Sequence, residues 1–352
     1  MIDKIIRLPY LCAMKYCLPA EWHRQQAILL SFPDEETIWK EVLPVIEPFY
    51  VQFARAILEY EDLIIICRNP DKQRYIEELL GTSHAHTLRF FLADYNDIWI
   101  RDYGPISLSN GQDLLWQDFG FNAWGGKYPG QLDDKVTQQL YKANLLTQIA
   151  QYQRQDFILE GGAIETDGLG TLLITPCVFT PTRNPKLSQD ALLEKLKQCL
   201  GVERVIVIEK GQLLGDDTDG HVDTLVRFCN PHTLAYSSCD DKNDFHYDEL
   251  KAMEAQLQNL TDLGGRPYQL IPLPIPAPKK DDTGRRLPAS YANFLIINNA
   301  VLCPTYDDPN DHIMLERLTQ AFPERKIVPI PSLPLIQYNG ALHCASMQIP
   351  LT

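Results

Sequence analysis

The sequence of 352 residues lacks the features that mark membrane-spanning, exported and fibrous proteins. No apolar run approaches the ~18 residues that a helix needs to cross a bilayer. The N-terminal segment is interrupted by Arg7, Pro9 and Lys15, so it has no uninterrupted apolar stretch of the kind found in secretion signals. Hydrophobic residues make up 45% and charged residues 22%, as is typical of soluble globular proteins. We therefore expect a cytoplasmic protein with either two ordinary domains or one large one.

Basic residues are scarce. Lys and Arg total 32 against 46 Asp and Glu, which gives a net charge of −14. This acidic excess argues against nucleic acid and anionic membranes as partners, and it mildly favours a cationic ligand. Nine cysteines are scattered between Cys12 and Cys344 without a C-x-x-C pair. In a chain without an export signal, we expect reduced thiols, most of them small core residues.

Nucleotide and metal fingerprints are also missing. The sequence contains neither a complete G-x-G-x-x-G pattern nor a Gly-Lys-Ser/Thr loop. His221 and Asp223 would share one face of a strand, but no second His or Cys pair has zinc-like spacing. A calcium loop over the Asp-rich stretch 216–220 would begin at Gly215 and end at Val226, neither of which is a ligand. The residues therefore favour neither metal.

What the sequence does contain is a repeat of about five similar units. Each unit consists of a hairpin, a helix and a short apolar strand. The hairpin turns are predicted at Asn110-Gly111, Asp167-Gly168, Asn230-Pro231 and Asn298-Asn299, roughly sixty residues apart. Helices are predicted over residues 42–61, 133–150, 190–200, 248–260 and 311–322, and the last three open with an acid that could cap them.

The repeat predicts an α/β propeller of five blades closed around an axis. The first unit, around residues 26–33, is degenerate, and residues 341–350 are predicted to complete the last. The alternative is an open α/β sheet of independent units. In a closed propeller, the start of each hairpin would lie near the common axis.

Six side chains that are costly to bury interrupt the apolar sequence near those hairpin starts. They are Asp102, Glu160, His221, Asp223, Asn293 and Cys344. Each has a structural alternative, such as a local ion pair, bonds to backbone amides, a satisfied core histidine or a small buried thiol. Because unpaired buried carboxylates cost several kcal/mol each, their repeat-related positions favour convergence in one axial pocket.

A pocket with a thiol, an imidazole and three carboxylates suits a guanidinium ion. This planar cation stays charged and needs carboxylates along its edge when it leaves water. Its central carbon is a poor electrophile for water, so hydrolysis benefits from a thiolate nucleophile. An imidazole can protonate the departing nitrogen and then activate water. The residues thus predict thiol-dependent attack on a guanidine.

At these positions the sequence resembles the agmatine deiminase family, which is grouped with bacterial-type peptidyl-arginine deiminases in the pentein superfamily. The resemblance implies the pentein fold, a five-bladed pseudo-symmetric α/β propeller. It implies one catalytic domain over residues 14–352, with residues 1–13 as an extension of unknown role. The matching segments are 19–33, 96–108, 121–128, 159–173, 183–188, 215–228, 287–298 and 340–348.

The resemblance also assigns roles to the polar residues. Cys344 would be the nucleophile and His221 the general acid and base. Asp102 and Asp223 would bind the guanidinium, and Glu160 would orient His221 or the substrate. The family reaction proceeds through an amidino-thioether on cysteine, and no metal or organic cofactor takes part.

The substrate and the oligomeric state are left open at this point, a homo-oligomer included. Trp99, Trp124 and Asn293 are expected to contact the substrate. The first hypothesis is hydrolysis of agmatine to N-carbamoylputrescine and ammonia; the others are a peptidyl- or protein-arginine deiminase and a non-enzymatic binding protein. Residues 275–290 are predicted to form a flap over the pocket. The candidates for recognising a distal ammonium are Trp22, Trp124, Asp281 and Asp282, and those for a carboxylate are Lys127, Arg183, Arg285 and Arg286.

Overall fold

A computed structural model describes residues 16–146 and 149–352, so the predicted extension over residues 1–13 lies outside the described residues. Within the described ranges, no helix is both long and apolar enough to cross a membrane. Sixteen strands are described there, and they form five sheets. The strands are β1 Gln25–Ser31, β2 Asp62–Cys67, β3 Leu88–Leu92, β4 Ile106–Ser109, β5 Leu114–Gly120, β6 Ile149–Ile158, β7 Ile164–Thr166, β8 Thr171–Ile174, β9 Arg204–Val207, β10 Val226–Asn230, β11 Thr233–Ser238, β12 Gln269–Pro274, β13 Leu295–Ile297, β14 Ala300–Thr305, β15 Lys326–Pro331 and β16 Ser346–Pro350.

Helices and short helical turns connect the strands. The α-helices are α1 Leu43–Leu58, α2 Pro70–Leu80, α3 Ile100–Tyr103, α4 Ala123–Gly126, α5 Val136–Lys142, α6 Gln189–Leu200, α7 Tyr247–Leu257, α8 Asp311–Ala321 and α9 Leu333–Ile336. Single 3-10 turns cover Lys40–Val42, Asp133–Lys135, Gly161–Ala163, Pro176–Phe179 and Val222–Thr224. Helix α8 packs against β12 and β15, and α1 packs against β2 and β15, so these helices fill the space between neighbouring sheets.

Each sheet is one blade with the same internal order. An antiparallel hairpin is followed by a parallel strand in β4-β5-β6, β7-β8-β9, β10-β11-β12 and β13-β14-β15. The four predicted turns are the turns of these hairpins. The fifth sheet, β16-β1-β2-β3, keeps the pattern with one additional strand. The five-bladed α/β architecture and the hairpin–helix–strand unit are therefore confirmed.

The C-terminal segment completes the first blade, and the prediction that it completes the last was wrong. Strand β16 pairs antiparallel with β1, from Gln25 opposite Pro350 to Leu30 opposite Ser346. The last blade already has its three strands, whereas β1 is followed directly by helical sequence and has no adjacent hairpin partner. This pairing gives the first blade its antiparallel strand pair from distant parts of the chain and closes the ring.

The helix predicted over residues 133–150 is too long. Helix α5 covers Val136–Lys142, and strand β6 begins at Ile149. Asn144 has a φ of 50°, a left-handed conformation that ends a helix. The apolar residues after it belong to the parallel pairing with β5, which the helical period had concealed.

The acidic N-caps predicted for three helices are also wrong. In α6 the cap is Ser188, whose Oγ accepts a hydrogen bond from the Ala191 amide at 3.3 Å. In α7 and α8 the N-cap residues are His246 and Asn310, and neither side chain makes a capping bond. The acids lie one or two positions after the N-cap, in the first turn, where they face the positive end of the helix dipole.

The short turns that precede the hairpins meet at one place. Helix α3 precedes β4 and packs against the turn 161–163, which precedes β7 and packs in turn against 222–224. At the equivalent points of the two remaining hairpins, Asn293 precedes β13 and Cys344 precedes β16. The six polar residues singled out in the sequence thus lie at repeat-related positions around the axis.

Candidate active site

A cavity of about 380 Å³ lies over these turns and reaches the thiol of Cys344. Asp102, Trp99 and Trp124 also line it, as expected for groups that meet a substrate. The other predicted residues, His221, Glu160, Asp223 and Asn293, are at most 1% exposed and lie behind the lining. The structure therefore brings together all eight predicted site residues.

Three of these side chains converge on the backbone of Gly162. A Cβ atom placed there would lie 2.7 Å from His221 Nδ1, 2.8 Å from Asp102 Oδ1 and 3.1 Å from Asp223 Oδ2. The amide of Gly162 donates a hydrogen bond to Asp102 Oδ1 at 2.8 Å. Glycine is required at this point because any side chain would fill the space in which the imidazole and the two carboxylates meet.

The thiol of Cys344 is held between an amide and a carboxylate. Asn293 Nδ2 donates to Sγ at 3.2 Å, and Sγ lies 3.6 Å from Asp223 Oδ2. Burial raises the pKa of Cys344 well above its ordinary value, and the charges of Asp223 and Asp102 raise it further. A cation bound among these carboxylates would offset their field and favour the thiolate.

The imidazole of His221 faces two carboxylates. Its Nε2 lies 3.4 Å from Glu160 Oε2, while Nδ1 lies 3.7 Å from Asp102 Oδ1 and has no hydrogen-bond partner. Burial by itself lowers the pKa of His221, but the charges of Asp102 and Glu160 outweigh it and raise the pKa to about 9. The ring is therefore protonated at neutral pH and can donate a proton from Nδ1.

Glu160 is fixed from behind by Arg183. Arg183 Nε lies 2.8 Å from both carboxylate oxygens, Nη1 reaches Asp219 at 2.7 Å and Nη2 donates to the Thr218 carbonyl at 2.9 Å. Burial opposes the charge of Glu160, but His221 and Arg183 hold its pKa below the ordinary value. Because the Arg183 side chain is fully buried, the prediction that it meets a substrate carboxylate was wrong.

Asp102 is oriented by the indole of Trp124, whose Nε1 donates to Oδ2 at 2.9 Å. Burial raises the pKa of Asp102 to about 6, although the nearby charge of His221 opposes this shift. Trp124 has a φ of 57°, which is an uncommon conformation for an aromatic residue. The indole is thus held in a strained turn, as is often seen at functional sites.

One oxygen of Asp223 is occupied and the other is free. Oδ2 accepts a hydrogen bond from His343 Nδ1 at 2.8 Å, whereas the buried Oδ1 has no partner. Burial opposes ionisation, but His343 and His221 hold the pKa of Asp223 below its ordinary value. A buried carboxylate oxygen without a partner is costly, and an N–H of a guanidinium would satisfy it.

The model of the Porphyromonas-type peptidyl-arginine deiminase family matches residues 17–350. The chain belongs to this family. It is 35% identical to a putative agmatine deiminase of Vibrio parahaemolyticus, covering 95% of this chain and 97% of that protein. It is 30% identical to an agmatine deiminase of Pseudomonas aeruginosa, with 95% of each chain covered.

Solved structures agree with the deiminase fold. A crystal structure of a putative peptidyl-arginine deiminase superimposes with a TM-score of 0.91 at 38% identity, covering 96% of this chain and 99% of that one. A cysteine-to-serine variant of the C. jejuni agmatine deiminase with substrate bound superimposes with a TM-score of 0.88 at 35% identity, covering 95% and 96%. The pentein propeller expected from the sequence is therefore confirmed.

The mouth of the deiminase cavity carries two carboxylates that sequence reasoning missed, Asp97 and Asp217. Asp97 accepts a hydrogen bond from Trp39 Nε1 at 2.8 Å, and burial raises its pKa to about 6. Asp217 Oδ2 accepts from the Tyr128 hydroxyl at 2.8 Å and from Asn339 Nδ2 at 2.9 Å. Each lies nine residues before the first strand of a hairpin, β4 or β10, whereas the residues singled out in the sequence lie within five residues of that strand.

Within residues 275–290, the predicted flap, Arg285 is the residue that lines the cavity. Its guanidinium is already engaged: Nε pairs with Asp281 at 2.8 Å, Nη1 donates to Asn339 at 2.7 Å and Nη2 to the Gln337 carbonyl at 3.2 Å. Trp22, Asp281 and Asp282 do not line the cavity. Lys127 and Arg286 pair with Asp219 at 2.7 Å and with Asp244 at 2.9 Å, respectively.

A second cavity, of about 50 Å³, shares no lining residue with the first. Glu21, Arg101, Glu165 and His343 line it, and it contains no thiol. Arg101 does not pair with Asp102, the local alternative considered for that carboxylate, but donates from Nε to the His343 carbonyl at 3.1 Å. The deiminase chemistry therefore belongs to the larger cavity.

Proposed function

We propose that this protein is an agmatine deiminase, with residues 14–352 as its catalytic domain. It hydrolyses agmatine to N-carbamoylputrescine and ammonia through an amidino-thioether on Cys344. The observation that carries the proposal is the convergence of a thiol, an imidazolium and ionisable carboxylates at the closed end of one cavity, with Asp223 Oδ1 unpartnered. The names of its relatives support the same activity.

Binding prepares the nucleophile. Asp102 and Asp223 accept hydrogen bonds from the guanidinium, which is a planar donor with a permanent charge. That charge offsets the two carboxylates that raise the pKa of Cys344, so the thiol ionises when the substrate arrives. Its proton is released to water in the cavity that Cys344 lines, so Asp223 stays ionised.

The first half-reaction releases ammonia. The thiolate of Cys344 attacks the central carbon, and a C–S bond forms as the guanidinium charge is neutralised. His221 donates its proton to one amino nitrogen, the C–N bond breaks and ammonia leaves. The amidino-thioether that remains is cationic and stays between the carboxylates. Glu160, fixed by Arg183, keeps the imidazole in place during this transfer.

The second half-reaction consumes water. The neutral His221 removes a proton from water, and the oxygen attacks the amidino carbon. The C–S bond then breaks, the thiolate departs and a proton of the new hydroxyl group returns to sulfur. The product carries a neutral ureido group, which binds weakly between two carboxylates and leaves the site.

The cavity lining favours a distal ammonium over a carboxylate. Besides Asp102, it contains two further carboxylates, Asp97 and Asp217. Arg285, the basic group in the lining, already donates to three protein acceptors and would have to give them up to bind a substrate carboxylate. Agmatine ends in an ammonium, whereas arginine and C-terminal arginine end in a carboxylate.

The experiment is a substrate panel assayed for ammonia. It contains agmatine, free arginine, a peptide with internal arginine and a peptide with C-terminal arginine. We expect kcat/KM to be highest for agmatine, and Asp217→Asn to raise its KM with less effect on kcat. Arg285→Gln is the matched control, because it removes a cation from the same cavity lining. It should not raise the KM for agmatine. Faster turnover of either peptide than of agmatine would favour the alternative, a peptidyl-arginine deiminase, which is the activity in the description of the family.

We further propose that the enzyme acts in the cytoplasm. In the described part of the chain, seven cysteines form no disulfide: Cys67, Cys177, Cys199, Cys229, Cys239, Cys303 and Cys344. Unpaired thiols are typical of a reducing compartment. A catalytic thiol also stays active longest in such a compartment, because it escapes oxidation.

A further inference from the structure

His343, the residue before the nucleophile, lies between two carboxylates. Its Nδ1 is 2.8 Å from Asp223 Oδ2, and its Nε2 is 2.7 Å from Glu21 Oε2. The residue is 1% exposed, so neither nitrogen exchanges these partners for bulk water. An imidazole donates hydrogen bonds from both nitrogens only as the imidazolium, and two acceptors on opposite sides stabilise that form.

Glu21 connects His343 to a longer buried network. Its Oε2 also accepts from Arg227 Nη2 at 2.8 Å, and Arg227 Nε donates to Glu165 Oε2 at 2.8 Å. The side chains alternate in charge from Asp223 through His343, Glu21 and Arg227 to Glu165. Each charge thereby has an opposite neighbour, which makes the burial of the whole row tolerable.

The network ends at the nucleophile. Asp223 Oδ2, which accepts from His343, is the atom that lies 3.6 Å from Cys344 Sγ. The amides of His343 and Cys344 both donate to Asn293 Oδ1, at 3.0 Å and 3.3 Å. The imidazole thus occupies one oxygen of Asp223 and leaves Oδ1 without a partner.

We propose that His343 is a positioning residue: held by Glu21 at one ring nitrogen, it binds Asp223 Oδ2 through the other and turns this carboxylate so that Oδ1 meets the substrate guanidinium. This inference rests on the proposed function and deepens it. His343 itself touches neither the substrate carbon nor the sulfur; it acts through Asp223.

A comparison of the two guanidinium carboxylates supports the assignment. Both lie fully buried beside the same imidazole, that of His221. Burial raises the pKa of Asp102 to about 6, whereas Asp223 stays below its ordinary value. For Asp223, the bond and the charge of His343 are the largest contributions that oppose burial, ahead of the charges of His221 and Arg227, whereas the charges of Asp223 and Glu160 add to the effect of burial on Asp102. The ionisable groups that act on Asp223 are His343, His221, Arg227, Cys344, Asp102 and Arg101.

The test is the pH dependence of kcat/KM for agmatine in His343→Asn and His343→Leu. The asparagine retains a neutral donor near the position of Nδ1, and the leucine removes it. Without the bond from His343, burial raises the pKa of Asp223. We expect the acid limb of the pH profile to move to higher pH, and to move further in the leucine variant than in the asparagine variant. KM should rise about tenfold or more, as for the loss of a charge-assisted hydrogen bond, with a smaller change in kcat.

Glu21→Gln tests the far end of the arrangement while His343 stays in place. It should shift the acid limb in the same direction by a smaller amount, because a neutral amide stabilises the imidazolium less. The matched control is His246→Asn, which removes another buried histidine bonded to a carboxylate, Asp244 Oδ1 at 2.6 Å. The control variant should at most have a lower Tm. The acid limb of its pH profile should lie at the same pH as in the wild type.

Two readouts separate this inference from the proposed function. The first is NMR of the wild type labelled with 15N-histidine. The imidazole signals that disappear in His343→Asn belong to His343, and both of its ring nitrogens should be protonated. On a Cys344→Ser background, His343→Asn should weaken binding of guanidinium compounds about tenfold in calorimetry. If the wild type is active and both His343 variants keep its acid limb, His343 has only a structural role. A wild type that binds guanidines but does not turn over agmatine would overturn the proposed function and keep this inference.

Discussion

Arg183 Nε lies at the same distance, 2.8 Å, from both carboxylate oxygens of Glu160. Both side chains are completely buried, so water does not screen the pair. Glu160 in turn lies 3.4 Å from His221 Nε2. The proposed proton donor, His221, is therefore oriented through Glu160 by a fully buried arginine, and this arrangement leads to the first prediction.

Arg183→Met should destabilise the protein and impair proton donation by His221. The methionine leaves the Glu160 carboxylate buried without its cation, which costs about 3–5 kcal/mol. Glu160 then takes up a proton, His221 loses one of the charges that raise its pKa, and the basic limb of the pH profile moves to lower pH. Urea unfolding and kcat–pH profiles measure both effects. Arg183→Lys keeps the charge but not the guanidinium group, so its stability and its basic limb should lie between those of the wild type and of Arg183→Met. A methionine variant as stable as the wild type would contradict the argument.

Cys344→Ser should abolish turnover and leave Tm unchanged, because a hydroxyl is a much weaker nucleophile than a thiolate. Cys199→Ser is the matched control, since its sulfur donates to Gln155 Oε1 at 3.2 Å and a serine hydroxyl replaces that bond. Residual activity of the Cys344 variant above about a thousandth of the wild type would sink the mechanism.

Alkylation tests how the thiol of Cys344 is activated. Its pKa is raised by burial and by the charges of Asp223 and Asp102, so neutral chloroacetamide should react slowly at pH 7 and faster as the pH rises. The cationic isostere chloroacetamidine offsets those charges and should react faster at pH 7. Mass spectrometry locates the adduct, and agmatine should protect against it. Equal rates for the two reagents would mean that a bound cation does not activate the thiol.

The dependence of kcat/KM on pH should be bell-shaped. Asp102, with a pKa of about 6, must be ionised to bind the guanidinium, so activity falls as the pH drops through about 6. His221, with a pKa of about 9, must be protonated to expel ammonia, so activity falls as the pH rises through about 9. Trp124→Phe removes a donor that lowers the pKa of Asp102 and should move the acid limb upward. Asp97→Asn, which removes a mouth carboxyl of similar pKa, should leave the acid limb of kcat in place.

Gly162→Ala should cost most of the activity through a single methyl group. The new Cβ would stand 2.7 Å from His221 Nδ1 and 2.8 Å from Asp102 Oδ1, closer than atoms normally approach. We expect kcat/KM for agmatine to fall by a factor of about 100 or more, since the two groups must separate. Gly264→Ala is the control, because its Cβ would meet the Asp262 side chain at 3.2 Å. An active Gly162 variant would show that the site is looser than these distances imply.

Asp102→Asn and Asp223→Asn should each remove several kcal/mol of transition-state stabilisation. Each substitution replaces a buried acceptor by an amide whose N–H groups face those of the guanidinium. The loss should appear in kcat/KM for agmatine, with Tm unchanged or higher because a buried charge is gone. A variant within about threefold of the wild type would remove that carboxylate from the guanidinium site.

Much of the fold was predictable because its signals are local. The turns at Asn110-Gly111 and Asp167-Gly168 depend on residues that accept positive φ, and Gly111 and Gly168 have φ values of 84° and 67°. The prediction failed where a local signal competed with distant pairing. The apolar residues after α5 continue a helical period, yet they belong to β6 because β5 offers them a parallel partner.

The sequence by itself determined which polar residues lie at the axis. Asp102, Glu160, His221, Asp223 and Cys344 stand out because carboxylates, an imidazole and a thiol interrupt apolar strand starts at one repeat period. Burying them separately would be costly, and only convergence allows them to share a ligand. Periodicity and burial cost together were sufficient for this much.

Only the tertiary structure decided which partners those residues have. Arg183 binds Glu160 across 23 residues of the chain, and His343 binds Asp223 across 120. Glu21 in turn binds His343 across 322 residues. The sequence suggested Arg183 as a partner for a substrate carboxylate, and it gave no signal for His343 or Glu21. Spacing along a chain does not encode which side of the axis a side chain faces, nor which distant charge compensates it. Closing the ring through β16 and β1 settles both, because it fixes every blade against its neighbours.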